Sequence, residues 1–308
     1  MLNEKNEIIG SSPIMTRWNK ILIVLAVILA ALYVLSFTRS CSSKDSREKI
    51  KTSLVNQKYK DSITSFELDD AAGAIKITNS GSFWTVGTLP ASSERMQSFI
   101  NNLTSIRNLY KISDKINKNN TLGLTTGTEF HLRYSTQDNS HELIFGNQDF
   151  SLSSRYMMTE KNTQVYEIDS SLDTFLTTSV QNWTEPFIIS QVVFGKIFPQ
   201  DIQRTTVLNQ NHLSSVSDLQ KLLDLRHGGI PDEEVLQSTL QNNQTPDTTI
   251  TLELGNKNEI ELKFFPTKSD NEFIVITEYK RQKGSKSYYT SVCKISSWTY
   301  NKIKEITL

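Results

Sequence analysis

Residues 92–109 read SSERMQSFINNLTSIRNL. Ser92 is a candidate N-cap and Glu94 falls in the first turn, while Met96, Phe99, Ile100, Leu103, Ile106 and Leu109 recur at helical spacing. The pattern predicts an amphipathic helix that buries one face. Outward from it the period changes to two. Ala74 to Thr78 and Phe83 to Val86 are short strand candidates, parted by the turn Asn79-Ser80-Gly81-Ser82 and closed by Pro90. Downstream come Phe130, Leu132 and Tyr134, then Leu143 and Phe145, then the Tyr156–Met158 region paired with Val165–Ile168. Asp169-Ser170-Ser171 caps a short helix with Leu172, Phe175 and Leu176. A helix on antiparallel hairpins is an α+β unit.

The series recurs. Ile100, Leu103, Ile106 and Leu109 match Val216, Leu219, Leu222 and Leu225 at an offset of 116, and Phe130, Leu132 and Tyr134 match Ile250, Leu252 and Leu254 at 120. Met157 to Glu160 matches Val275 to Glu278 at 118, and Ser170-Ser171-Leu172 matches Ser296-Ser297-Trp298 at 126. A longer turn, Tyr279 to Ser287, accounts for the drift, since insertions collect in turns. Two related units are therefore expected, at 61–190 and 191–308.

A chain of 308 residues with 33 basic and 33 acidic side chains has no global basic field, so nucleic acid is not an expected partner. Two cysteines, Cys41 and Cys293, build neither a disulfide scaffold nor a structural zinc site. One stretch is wholly apolar: Ile21 to Leu35, extended by Ser36-Phe37 and flanked by Trp18 and Lys20. It predicts a transmembrane anchor at 21–37 after a cytoplasmic tail at 1–20, with a polar tether at 38–60. A cleaved signal and a lipoprotein modified at Cys41 are the competing readings. Positive charges follow the span more densely than they precede it, yet long domains translocate regardless of flanking charge. The expected location of the folded part is outside the cytoplasmic membrane.

No catalytic or metal-binding constellation appears. His141-Glu142 lacks the second histidine of a metalloprotease helix, and Gly123 to Gly127 lacks the Lys-Ser/Thr of a phosphate loop. A hydrolase using His141 and Glu142 is the weakest reading. Neither enzymatic activity nor a cofactor is expected. Lys280, Arg281, Lys283 and Lys286 form the one local concentration of charge, at a hairpin tip suited to an acidic partner or to lipid head groups, with a solvated turn as the bland alternative. Tyr288, Tyr289, Trp298 and Tyr300 nearby read as core and rim.

The run from Ile75 through Trp84 to Pro90 and the following helix resemble the opening of the bacterial domain-of-unknown-function family 4340. Leu122-Gly123-Leu124, Leu143-Ile144-Phe145-Gly146, Arg155-Tyr156 and Val165-Tyr166-Glu167-Ile168 follow in that family's order over about residues 60–190, with a departure around Trp183 to Pro186. The resemblance implies an anchored extracytoplasmic α+β protein associated with ABC-transporter components of gliding-motility type, and it brings no catalytic residues. The expected role is an accessory or scaffold protein contacting a transporter permease or another envelope protein. Capture of a glycan or peptide in a cleft between the two units is the alternative.

Overall fold

Alternation of apolar and polar residues generates most of this chain's strands, and helices cover only part of the surface those strands present. The computed structural model describes residues 24–30 and 48–307, apart from 116–120, 126, 160, 161, 209, 213, 214 and 270. Residues 1–48 and those from Lys49 onward are separate units. In the first, residues 24–30 form a helix, α1, whose every residue is exposed. No helix among the described residues is long and apolar enough to cross a membrane. The expected anchor residues Trp18, Lys20, Ile21, Leu35 and Phe37 lie outside the described residues.

The second unit begins earlier than the tether reading implied. β1 (Lys49–Thr52) already pairs with a later strand, and Val55 is fully buried, so residues 49–60 belong to the fold. An edge strand turns few side chains inward, which is why Lys-Ile-Lys-Thr reads as linker. There follow β2 (Ile63–Asp70), β3 (Gly73–Asn79), β4 (Trp84–Val86), β5 (Leu89–Pro90), α2 (Ser93–Thr104) and β6 (Arg107–Ser113). Then come β7 (Phe130–Thr136), β8 (Ser140–Gln148), β9 (Ser154–Thr159), β10 (Asn162–Asp169) and the short α3 (Val180–Trp183). They form an antiparallel sheet ordered β1-β6-β10-β9-β8-β7-β2-β3-β4-β5.

A second antiparallel sheet follows. It is built from β11 (Ile202–Val207), β12 (Gln210–His212), α4 (Val216–Leu223), α5 (Glu233–Asn242), β13 (Thr248–Leu254), β14 (Glu259–Pro266), β15 (Glu272–Lys280), β16 (Tyr289–Ser296) and α6 (Ser297–Thr307). Its order is β12-β11-β13-β14-β15-β16. The stretch β3-β2-β7-β8-β9-β10 of the first sheet has the same order and the same sequence of hairpin, helix and four-strand meander.

Helix register differs from the 116-residue offset. The Ser92 hydroxyl accepts from the Arg95 amide, as the Ser215 hydroxyl does from Asp218, so the caps stand 123 residues apart. Met96, Phe99 and Ile100 then correspond to Leu219, Leu222 and Leu223, all buried. Ile106 and Val216, which the 116 offset places in the cores, are 68% and 70% exposed. α2 stops at Thr104, where Ser105 turns to an extended backbone at φ −70° and ψ 143°, and the Arg107 guanidinium folds back to satisfy the Asn102 carbonyl that this leaves free. Leu109 consequently packs from β6.

Phe66 on β2 centres the first core, its ring 5.0 Å from Phe99 and 5.4 Å from Trp84. That strand escapes the period-two test because a bulge between Ile63 and Ser65 breaks its alternation. Phe66→Ala should cost about 3–5 kcal/mol. Ile106→Ala, counted on the apolar face in the sequence, should change stability by under about 0.5 kcal/mol. Urea denaturation of both variants distinguishes the two environments.

Candidate functional site

The β8–β9 turn is the surface feature that sequence reasoning missed. Asp149 organises it: its carboxylate accepts from the amides of Ser153 and Ser154, both at 3.0 Å, and from the Ser151 hydroxyl at 2.5 Å. The Ser151 bond first, then the amide donors, hold the carboxyl at about 2. Across the turn, the Asp149 amide donates to the Ser154 carbonyl at 2.9 Å. Leu152 takes φ of 58°, a left-handed conformation that is strained for a side chain branched at Cγ. The result is a braced loop that holds Phe150 fully exposed and Leu152 65% exposed. Asp149 followed by serines at 151, 153 and 154 was the available signal, an Asx-type turn.

The motif residues singled out in the sequence gather at the root of this hairpin. The Leu122 carbonyl accepts from the Asn147 amide at 2.7 Å and would lie 2.1 Å from a Cβ placed on Gly146. Gly123, at φ +69°, turns the loop so that Leu124 packs with Ile144 and Val165 on the outer side of the sheet. Arg155 donates 2.6 Å bonds to the Gly146 carbonyl and to Asp173, and Ser154 donates to Glu167 at 2.5 Å. These signatures therefore serve loop docking and hairpin bracing.

The basic hairpin is not a free cluster. The Lys280 ammonium lies 3.1 Å from Glu259 and 2.6 Å from Glu261, and Lys283 lies 2.6 Å from Glu253. Burial opposes the Lys280 charge, but the Glu261 and Glu259 carboxylates outweigh it and raise the ammonium. Arg281 stacks over the Tyr288 ring at 4.0 Å, and Lys286 is exposed. Of the four aromatics, Tyr300 enters the core, Tyr289 stands edge-on to Phe83 at 4.9 Å, and Trp298 is exposed. Successive strand residues face opposite ways, so Glu142 meets His131 at 2.9 Å and Arg133 at 2.8 Å, while His141 stacks on Tyr134. His141 and Glu142 do not converge. Among the described residues, no group of three His, Cys, Asp or Glu could hold a metal ion. Cys293 is buried, its thiol pushed up to about 12, and Cys41 lies outside the described residues.

Between the sheets, the contacts are packed. Leu89 enters the second core, Ile230 touches both cores, and Thr88 bonds Val292 and Tyr289. A buried polar knot sits here as well. The Glu185 carboxylate accepts from the Ser190 hydroxyl and from the amides of Gln191 and Val192, with burial pushing it up against those donors. His227 Nε2 donates to the Glu185 carbonyl at 2.7 Å, because Nδ1 accepts from the Gly229 amide at 3.0 Å. Burial lowers the imidazole pKa, with the Glu185 carbonyl opposing.

Two outcomes follow. Gly146→Ala forces a Cβ onto the Leu122 carbonyl and should cost about 2 kcal/mol or more, whereas Gly284→Ala, at φ +73° with nothing within 4 Å, should cost about 1 kcal/mol; urea midpoints measure both. Burial holds the His227 pKa below its unfolded value, so the unfolded chain takes up the proton first as pH falls through about 6.5, and the contribution of the neutral imidazole is present above that value and lost progressively below it. His227→Gln should therefore lose less stability than the parent between about pH 7.5 and 5.5. An equal loss in both proteins would assign the pH dependence elsewhere.

No curated protein and no solved structure matches the chain. A family match starts just ahead of β1 and ends within β13, further along than the 60–190 stretch that carries the sequence resemblance. It takes in the β8–β9 hairpin, the docked Leu122-Gly123-Leu124 loop and the Glu185–His227 knot. With residues 46–251 matching the family described as Domain of unknown function (DUF4340), the chain belongs to that family.

Proposed function

We propose that the chain is a membrane-anchored, extracytoplasmic accessory or scaffold protein that works by protein–protein contact, without catalysis. Its partner on this reading is the permease of an ABC-type transporter or another envelope protein. The observation that carries the contact role is the braced β8–β9 turn, which holds Phe150 and Leu152 in water although burying such side chains is worth about 1.5–3 kcal/mol each. Preorganising the turn removes the ordering cost that a mobile loop would incur on binding. The apolar run Ile21 to Leu35 and the wholly exposed helix α1 support the anchor. The shared strand order of the two sheets supports an internal duplication that supplies two similar platforms. The transporter assignment rests on the family resemblance alone.

Expression of the full chain with a photocrosslinking phenylalanine analogue in place of Phe150 tests this in the source cells. The expected product joins the chain to an integral membrane protein of a transporter, and Leu152→Ser should reduce it at least tenfold without lowering the urea midpoint. An impermeant maleimide should label Phe150→Cys on intact cells whose outer barrier has been opened. Recovery of the chain as a soluble cytosolic protein with no crosslinked partner would sink the reading.

A further inference from the structure

β16 is the last strand of the second sheet, and its outer edge is closed by other parts of the chain. The Thr88 hydroxyl takes both main-chain groups of Val292, accepting from its amide and donating to its carbonyl at 3.1 Å each. Two residues on, the Lys294 carbonyl accepts from the Gly228 amide at 2.7 Å, and the Lys294 amide donates to the Gly229 carbonyl at 2.9 Å. These contacts cover an edge that would otherwise be free for strand pairing.

His227 sets the second of them. Its Nδ1 lone pair accepts from the Gly229 amide at 3.0 Å, while Nε2 donates to the Glu185 carbonyl at 2.7 Å. A proton added at Nδ1 would face that N–H, so the ring cannot become an imidazolium in place without losing the Gly229 bond. Gly228-Gly229, the second at φ +113°, give the stretch freedom to move. Upstream, the His227 amide on the Pro186 carbonyl and the Ile188 amide on the Leu225 carbonyl do not involve the ring, which confines the change to the glycines.

Neighbouring charges leave the ring to itself. The Glu185 carboxylate is taken up by Ser190, Gln191 and Val192. Arg226 lies over the Phe187 ring at 5.7 Å, and Lys294 pairs with Glu272 at 3.4 Å. Gln181, which donates to the Gly228 carbonyl, is uncharged. Burial pushes the Tyr279 phenol and the Cys293 thiol far above neutrality.

We propose that residues 227–229 are a proton-sensitive clasp: an imidazolium at His227 expels the Gly229 amide and lifts Gly228 and Gly229 off Lys294, opening that part of the β16 edge in mild acid. The clasp is independent of the anchor and of the β8–β9 tip, so the two readings stand or fall separately.

Burial holds the ring of the closed clasp below its ordinary value, and the opened ring returns to about 6.5. Opening should therefore become about five- to tenfold more favourable between about pH 7.5 and 5.5. Amide hydrogen exchange of the full chain in lipid nanodiscs, followed by NMR and expressed as protection factors, measures this. Gly228, Gly229 and Lys294 should lose protection by that factor, while Ile250 and Leu252 on β13 keep theirs. His227→Asn places a carbonyl oxygen near the Nδ1 position that does not titrate, and it should abolish the pH dependence at all three. Constant protection in the parent chain, a fall shared by β13 as global unfolding would give, or an equal fall in His227→Asn each overturns the proposal. If that variant does not fold, the imidazole ¹⁵N shifts of the parent chain decide: protonation of Nδ1 should follow the loss of protection, and a ring that gains its proton with the three amides still protected overturns the clasp.

Discussion

Trp183 and Glu185 stand two residues apart and commit the chain to both cores. The Trp183 indole is fully buried against Phe99, with ring centroids 5.0 Å apart, and its carbonyl accepts from the Ser92 amide at the start of α2. Glu185 donates its amide to the Pro90 carbonyl and gathers the amides of Gln191 and Val192 around its carboxylate, which seats Ile188 and Ile189 in the second core. A carboxylate this buried is tolerated only because its donors are fixed by the backbone. Remove that arrangement and α2 loses a cap contact while the second core loses its entry. The chain crosses between sheets at a constrained joint rather than through a slack linker.

Much of the fold was legible because buried strands alternate. Phe130, Leu132 and Tyr134, and likewise Ile250, Leu252 and Leu254, are all buried on equivalent strands. Illegibility had specific causes. β2 was hidden by its bulge, β1 by being a charged edge, and the end of α2 by the extended turn at Ser105, whose free Asn102 carbonyl is satisfied by an Arg107 fold-back no periodicity reveals. The helix offset failed for a related reason: Ile106 continues the apolar pattern after the backbone has left the helix.

The candidate sites show the limit of reading charge along a chain. Lys280, Arg281, Lys283 and Lys286 are consecutive enough to look like a basic patch, but β-sheet neighbours come from other strands. Register places Glu259 opposite Lys280 and Glu261 opposite Glu278, so carboxylates on β14 meet the lysine of β15. These pairs are largely shielded from water, with Glu259 buried, and they remove the net field on which docking to an acidic surface would depend. Lys286 and the Arg281–Tyr288 stack are what the hairpin still presents.

The β8–β9 tip reverses that lesson. Phe150 and Leu152 look, in sequence, like two more residues of an alternating strand, and burial would be their default. Asp149 overrides the default by capturing the amides of Ser153 and Ser154, which ends β8 and forces Leu152 to a positive φ. The same bonds that deny Phe150 a place on the sheet also fix where it points. Exposure of this kind is unfavourable to the isolated protein and is sustained by hydrogen bonds local to the turn, so no contact elsewhere in the fold needs it. The tip is thus an apolar pair that the fold itself leaves unburied, placed by hydrogen bonds within the turn and by no contact with either core.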